Sequence, residues 1–135
     1  MVYSIFVSGT PFSGKTVLCL GMFGKFQEMG MKVGYFKPVG KVSKIHDGKP
    51  CDPDVLLMRD VMELEEEMNE LCPITMGNRY LDHVRDDCNE LKERISNAFV
   101  KVKDDKDVLL IESAPSPEFL TSCGLDLGSL SEMFL

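Results

Sequence analysis

Residues 8 to 16 read Ser-Gly-Thr-Pro-Phe-Ser-Gly-Lys-Thr and directly follow the apolar run Val2-Tyr3-Ser4-Ile5-Phe6-Val7. Gly9, Gly14, Lys15 and Thr16 fall at the spacing G-x-x-x-x-G-K-[ST] without a mismatch. Chemistry explains that spacing. Glycines let the backbone curl until consecutive N–H groups point inward and form a nest for an anion. A helix starting near Lys15 adds its positive dipole end and its unpaired amides. The Lys15 ammonium can then reach the β- and γ-phosphates of a nucleotide, and the Thr16 hydroxyl can hold Mg2+. The plainer alternative is a strand-to-helix turn whose lysine is merely solvated. A strand expected before the segment and a helix expected after it favour a phosphate loop. Gly9, Thr10, Pro11, Phe12, Ser13, Gly14, Lys15, Thr16 and Val17 are therefore the candidate nucleotide contacts.

The elements that must position this loop can be read from periodicity. Residues 2 to 7 form a short, apolar, buried strand. Val17, Leu18, Leu20, Met22, Phe23, Phe26 and Met29 recur at helical spacing, and Gly30 stops the helix. Gly21 and Gly24 weaken that helix by about 1 kcal/mol each relative to alanine, which a close helix-to-sheet contact would explain. Val33-Gly34-Tyr35-Phe36 reads as a second strand ended by Pro38. The stretch from Gly40 to Pro50 reads as a mobile loop. Asp52-Pro53 opens a helix, with the aspartate as N-cap and the proline in the first turn. That helix carries Val55, Leu56, Met58, Val61 and Met62, then runs into Glu63 to Glu70 as a solvated acidic face. From Tyr80 to Val102, the residues Val84, Cys88, Leu91, Ile95, Ala98 or Phe99, and Val102 trace one apolar stripe. Asp107 to Glu112 forms a third strand, residues 113 to 124 a loop, and Leu125 to Leu135 a further helix. This order predicts an α/β fold, with a mostly parallel sheet covered by helices on both faces. No repeat or linker divides residues 1–135, which read as one domain.

At 135 residues the chain can bury one core. A net charge of −7 argues against a nucleic-acid partner, whose phosphates need a basic face. No apolar run approaches the roughly 18 residues of a membrane span, and no basic segment precedes the N-terminal apolar stretch as in a secretory signal. Cys19, Cys51, Cys72, Cys88 and Cys123 are scattered without metal-site spacing. Cys19 and Cys88 fall on apolar helical positions as small core residues, and the odd, unpaired set fits a reducing, cytoplasmic setting. His46 in the lysine-rich loop and His83 on the long helix read as surface residues without a partner that would make either a catalytic base.

Three further stretches accompany the loop: "GYFKPVG" (34–40), "CDPDVLLMRD" (51–60) and "DVLLIESAPS" (107–116). In this order and at these separations the chain resembles the dethiobiotin synthetase family of phosphate-loop NTPases. The likeness is greatest to the dethiobiotin-synthetase-like domain at the N-terminus of some phosphate acetyltransferases, and it extends to the amide-forming synthases of cobyrinic acid metabolism. The resemblance implies ATP and Mg2+ as cofactors, a small-molecule carboxylate as substrate, and a homodimer as an available assembly. By the same resemblance Lys15 and Lys37 are catalytic, the latter facing the reacting carboxylate and the γ-phosphate. Thr16, Asp54 and Glu112 would surround the metal ion.

Each assignment has a bland counterpart. Lys37 closes an apolar strand, where open α/β sheets form their ligand crevice, but a strand-end lysine can simply be solvated. Asp54 could only complement the helix dipole, leaving Asp52 as the metal ligand. Glu112 ends an apolar strand as a metal-binding carboxylate would, or as an ordinary solvated acid. The chain also departs from the synthetase pattern. Ser113-Ala114-Pro115-Ser116-Pro117 replaces a glycine-rich turn, the phosphate loop is one residue shorter, and the sequence stops after the third strand, where the family continues. The chain therefore reads as the N-terminal portion of that fold, whether as a fragment, an excised domain or a divergent short form. Three functions stay open: ATP-dependent ligation through an acyl phosphate, a nucleotide-binding regulatory or accessory domain without turnover, or a structural remnant that has lost nucleotide, which the intact Lys15 and Thr16 disfavour.

Overall fold

The computed structural model describes residues 1–77, 87–114 and 120–135. Its centre is a parallel sheet of β1 (Tyr3–Val7), β7 (Val108–Glu112) and β2 (Val33–Phe36), with β7 in the middle. All of β7 and β2 is buried, which explains why neither alternates apolar with polar residues. The burial expected of β1 is not met: it pairs only with β7 in this sheet, Tyr3 is 63% exposed, and Val7 is its one buried residue. Between them in sequence lie β3 (Val39–Lys41), β4 (Lys44–His46), β5 (Lys49–Cys51) and β6 (Ile74–Met76). The helices are α1 (Lys15–Glu28), α2 (Pro53–Met62), α3 (Met68–Leu71), α4 (Cys88–Lys103) and α5 (Leu127–Phe134).

Strand alternation assigns the two faces of the sheet. Ile5, Leu110 and Tyr35 share one row, and Phe6, Ile111 and Phe36 the next. The Phe36 ring lies 5.9 Å from Phe99 of α4 and 5.6 Å from Phe134 of α5, and Phe6 stacks on Phe134 at 6.4 Å. These helices therefore cover one face, while α1, with fully buried Cys19, packs against β7 on the other. The expected α/β fold, mostly parallel with helices on both faces, is the observed one. The α4 stripe of Leu91, Ile95, Ala98 and Val102 is buried as its spacing predicts, and Asp87 caps the helix. Tyr80, His83 and Val84, which the same pattern covered, lie outside the described residues, as does Pro115-Ser116-Pro117.

Several expectations need correction. Residues 40–50 are not a loop: Gly40 and Lys41 end β3, which pairs with β6, and β4 and β5 form an antiparallel hairpin. The hairpin turns at Asp47 and Gly48, both with positive φ (49° and 74°), the arrangement that Asp-Gly favours. Its residues are mostly exposed and polar, so no apolar alternation advertised it. The acidic run is not one helix face. Glu63 ends α2 at φ 52°, Glu67 and Glu70 form a capping box for α3, and Glu66 and Glu70 pair with Lys106 and Lys101.

On α1, Val17, Leu18 and Met29 are exposed despite their helical spacing. The close contact expected at Gly21 and Gly24 is absent, since nothing lies within 4 Å of a Cβ added at either. Finally, Cys88 is not a free core thiol: it forms a disulfide with Cys123 that ties the start of α4 to the short 3-10 turn at Thr121–Cys123. The cysteine pattern therefore no longer argues for a reducing compartment. Cys19 is a buried free thiol, as expected. Among the described residues no helix is long and apolar enough to cross a membrane.

Candidate nucleotide site

The parallel strands β1, β2 and β7 all end at one crevice, the position where open α/β sheets hold ligands. The segment between β1 and α1 is curled. Gly14 caps α1 at φ 89°, a conformation costly for any residue with a Cβ, and no side chain caps the helix. The first-turn amides of α1 therefore face the crevice without a side-chain partner. Lys15 folds back and donates from Nζ to the carbonyls of Gly9 at 2.9 Å and Thr10 at 2.8 Å. An ammonium held on its own loop is positioned to exchange those carbonyls for phosphate oxygens.

Opposite the loop stands a buried polar cluster. Glu112, at the end of the central strand, is 1% exposed in its side chain, and its two oxygens have different partners. Oε1 accepts from the Thr16 hydroxyl at 2.9 Å, and Oε2 accepts from the Tyr35 hydroxyl at 2.7 Å. Lys37 follows β2 and is 3% exposed in its side chain. Its ammonium lies 3.0 Å from Asp52, 3.2 Å from Asp54 and 3.6 Å from Glu112. Burial alone would pull the Lys37 pKa down, but the charges of Glu112, Asp52 and Asp54 outweigh it and hold the ammonium above its ordinary value. Burial, then the Glu112 charge, pushes the Tyr35 phenol well above the usual range. Cys19, beneath the same cluster, is pushed up to about 12 by burial first and Glu112 second, with Lys37 opposing, so it is an inert thiol.

The two aspartates separate by role. Asp52 caps α2: Oδ1 accepts from the amides of Asp54 at 2.8 Å and Val55 at 3.3 Å, while Oδ2 accepts from the Lys41 amide at 2.8 Å. With Lys37 added, its carboxylate is fully engaged. This packing requires Gly40, because a Cβ there would come within 2.8 Å of Asp52 Oδ2 and 2.6 Å of Cys72 Sγ. Asp54, two residues along, is 46% exposed in its side chain and retains acceptor capacity toward the crevice.

Pro11, Phe12, Ser13, Gly14, Lys15, Thr16, Val17, Lys37, Asp52, Asp54 and Glu112 all line one cleft of about 630 Å3. Gly9 and Thr10 adjoin it through the Lys15 contacts. Every residue singled out in the sequence for this site is thus gathered at one place. Lys41, Ser43 and Pro53 line it too and were missed. Tyr35 was also missed, having been read only as a strand residue. The available signal was a lone hydroxyl in an otherwise apolar strand, two residues before Lys37.

A strand, a curled G-x-x-x-x-G-K-[ST] loop and a helix on a parallel sheet define a P-loop NTPase domain. Residues 3–117 match the model of the AAA domain family AAA_26, and the chain belongs to that family. Two ATP-dependent dethiobiotin synthetases named BioD are similar to it. The one from Methanocaldococcus jannaschii is 26% identical over 118 residues, covering 82% of this chain and 51% of the relative. The one from Thermodesulfovibrio yellowstonii is 30% identical over 111 residues, covering 79% and 46%. This chain therefore spans about half the length of these relatives. A solved GTPase in apo form from Pyrococcus abyssi aligns with a TM-score of 0.40 at 22% identity, covering 94% of this chain and 49% of that one. The chain is a dethiobiotin-synthetase-like P-loop domain of the nucleotide-binding class.

Proposed function

We propose that this domain binds ATP with Mg2+ and supports phosphoryl transfer to a small carboxylate or carbamate, as the first step of an ATP-dependent ligation. One observation carries the proposal: the phosphate loop, Lys37 and three carboxylates line a single crevice, bridged by the 2.9 Å contact of Thr16 with Glu112. Asp52, Asp54 and Glu112 bring three negative charges against the one ammonium of Lys37, while Lys15 is turned to loop carbonyls.

The donors are hard oxygens, as Mg2+ prefers. Among the described residues no three His, Cys, Asp or Glu side chains form a ready-made metal cage. Thr16, Asp54 and Glu112 are the residues that would hold Mg2+, and its charge would offset that developing on the transferred phosphoryl group. In the transfer, a carboxylate oxygen of the substrate bonds to the γ-phosphorus as the bond to the leaving ADP oxygen breaks. An amine then displaces phosphate from the acyl phosphate. Lys15 would leave the Gly9 and Thr10 carbonyls for the phosphates, and Lys37 would orient the attacking carboxylate.

A second reading is nucleotide binding without turnover. The near-complete burial of Lys37 among three carboxylates favours it, since that ammonium is not free to meet a substrate. Phosphate release from ATP and Mg2+ across a panel of small carboxylates, alongside ATP-binding calorimetry, separates the two. Release above a Lys15→Ala control supports ligation. Binding without release supports the second reading, and neither binding nor release overturns both. A cytoplasmic location and a homodimer remain parts of the same proposal.

A further inference from the structure

A second cleft, of about 650 Å3, opens between the β4–β5 hairpin, α2, α3 and α4, and Asp52 is common to its wall and that of the nucleotide crevice. It gathers the basic side chains of His46, Lys49, Arg59 and Arg94 in a chain whose net charge is −7. Both arginines are anchored. Arg59 Nε donates to the Glu66 carbonyl at 3.0 Å, and an Arg94 Nη donates to the Pro73 carbonyl at 2.6 Å. A backbone carbonyl fixes a guanidinium without neutralising it, and neither arginine pairs with a carboxylate among the described residues.

Three acids, Asp47, Asp52 and Glu67, share the cleft wall with these basic residues. Asp52 is engaged by Lys37 and backbone amides, the Glu67 side chain by the α3 capping box, and Asp47 faces His46 at 3.4 Å. A guanidinium carries five N–H donors in a planar fork, so one anchored nitrogen leaves the rest for an outside acceptor. Two such forks in one cleft match two carboxylate or phosphate groups. The volume is that of a site for a small molecule.

We propose that this cleft binds a small dianion bearing carboxylate or phosphate groups, with Arg59 and Arg94 as anchors and Lys49 at the entrance. The site shares only Asp52 with the nucleotide crevice and stands whether or not the domain turns over ATP. The test is an NMR titration of the intact 15N-labelled protein with succinate and, separately, with glycerol 3-phosphate. Saturable shifts at the Asn69 and Thr75 amides are expected, and whichever probe binds more tightly identifies the preferred oxyanion. Replacing both anchors (R59Q with R94Q) should weaken binding about tenfold or more, since each removes hydrogen bonds to a charged group. If that variant fails to fold, Lys49→Gln and a salt titration replace it, each expected to weaken binding. Shifts confined to Gly14 and Lys15, an unchanged affinity in the double variant, or indifference to both Lys49→Gln and salt would overturn the proposal.

Discussion

Replacing Lys37 with methionine keeps the length of the side chain and removes its charge. The ammonium sits 3.0 Å from Asp52 and 3.6 Å from Glu112, whose side chains are only 2% and 1% exposed. Removing one partner from a buried ionic group typically costs about 3–5 kcal/mol, because the remaining charges are left uncompensated. Asp54 adds little to that figure, being nearly half exposed and able to turn to water. A loss near 3 kcal/mol is therefore expected, a large share of the about 5–15 kcal/mol stabilising an ordinary domain. Urea unfolding followed by circular dichroism at pH 7 measures it, with the slope unchanged. Protonating the orphaned carboxylates should recover part of the loss, so the gap to wild type narrows toward pH 5. Added Mg2+ should narrow it too, since the crevice would again contain a cation. A loss below about 1 kcal/mol, independent of pH, would show that the cluster is solvated and that its charges are not coupled.

Four further outcomes rest on other contacts of the fold. Tyr35→Phe removes a buried donor to Glu112 Oε2 and should destabilise the fold by about 1–3 kcal/mol at pH 7. The pKa values of Tyr35 and Lys37 are both raised in the folded state, so their stabilising effect is complete below the unfolded values near 10 and lost as pH climbs through the folded ones. Wild-type stability should accordingly fall above about pH 10, and more shallowly in Tyr35→Phe, as urea midpoints across pH will show. Gly21→Ala should stabilise by about 0.5–1 kcal/mol, because the helix has open space at that position, and thermal melts will check the sign. Alkylation of the unfolded, unreduced protein should label Cys19, Cys51 and Cys72 alone, and mass spectrometry should show two more labels after reduction.

What could be read from the sequence depended on whether one residue type had one physical use. The loop spacing, the three apolar strands of the main sheet, the α4 stripe and the Asp52-Pro53 cap were legible because each follows from local chemistry. The hairpin at Lys44–Cys51 was hidden by its polar, exposed strands, although Asp47-Gly48 marked its turn. Val17 and Leu18 misled because apolar periodicity does not say which face of α1 meets the sheet. The Cys88–Cys123 pair, 35 residues apart, is a fact of tertiary approach that spacing alone cannot reveal. At the site, Lys37 and Glu112 could be named as candidates, but their shared burial could not. Likewise the division between Asp52 as cap and Asp54 as the more exposed acid depends on how closely Gly40 lets the chain approach.

Calorimetric titration of the intact protein with ATP, with and without Mg2+, bears most directly on the crevice as a nucleotide site. One ATP per chain is expected, bound more tightly with Mg2+ than without. Affinity should fall about tenfold or more in Lys15→Ala, and Glu112→Gln should reduce the Mg2+ dependence. ATP heats that are absent, or equal in wild type and Lys15→Ala, would contradict the assignment.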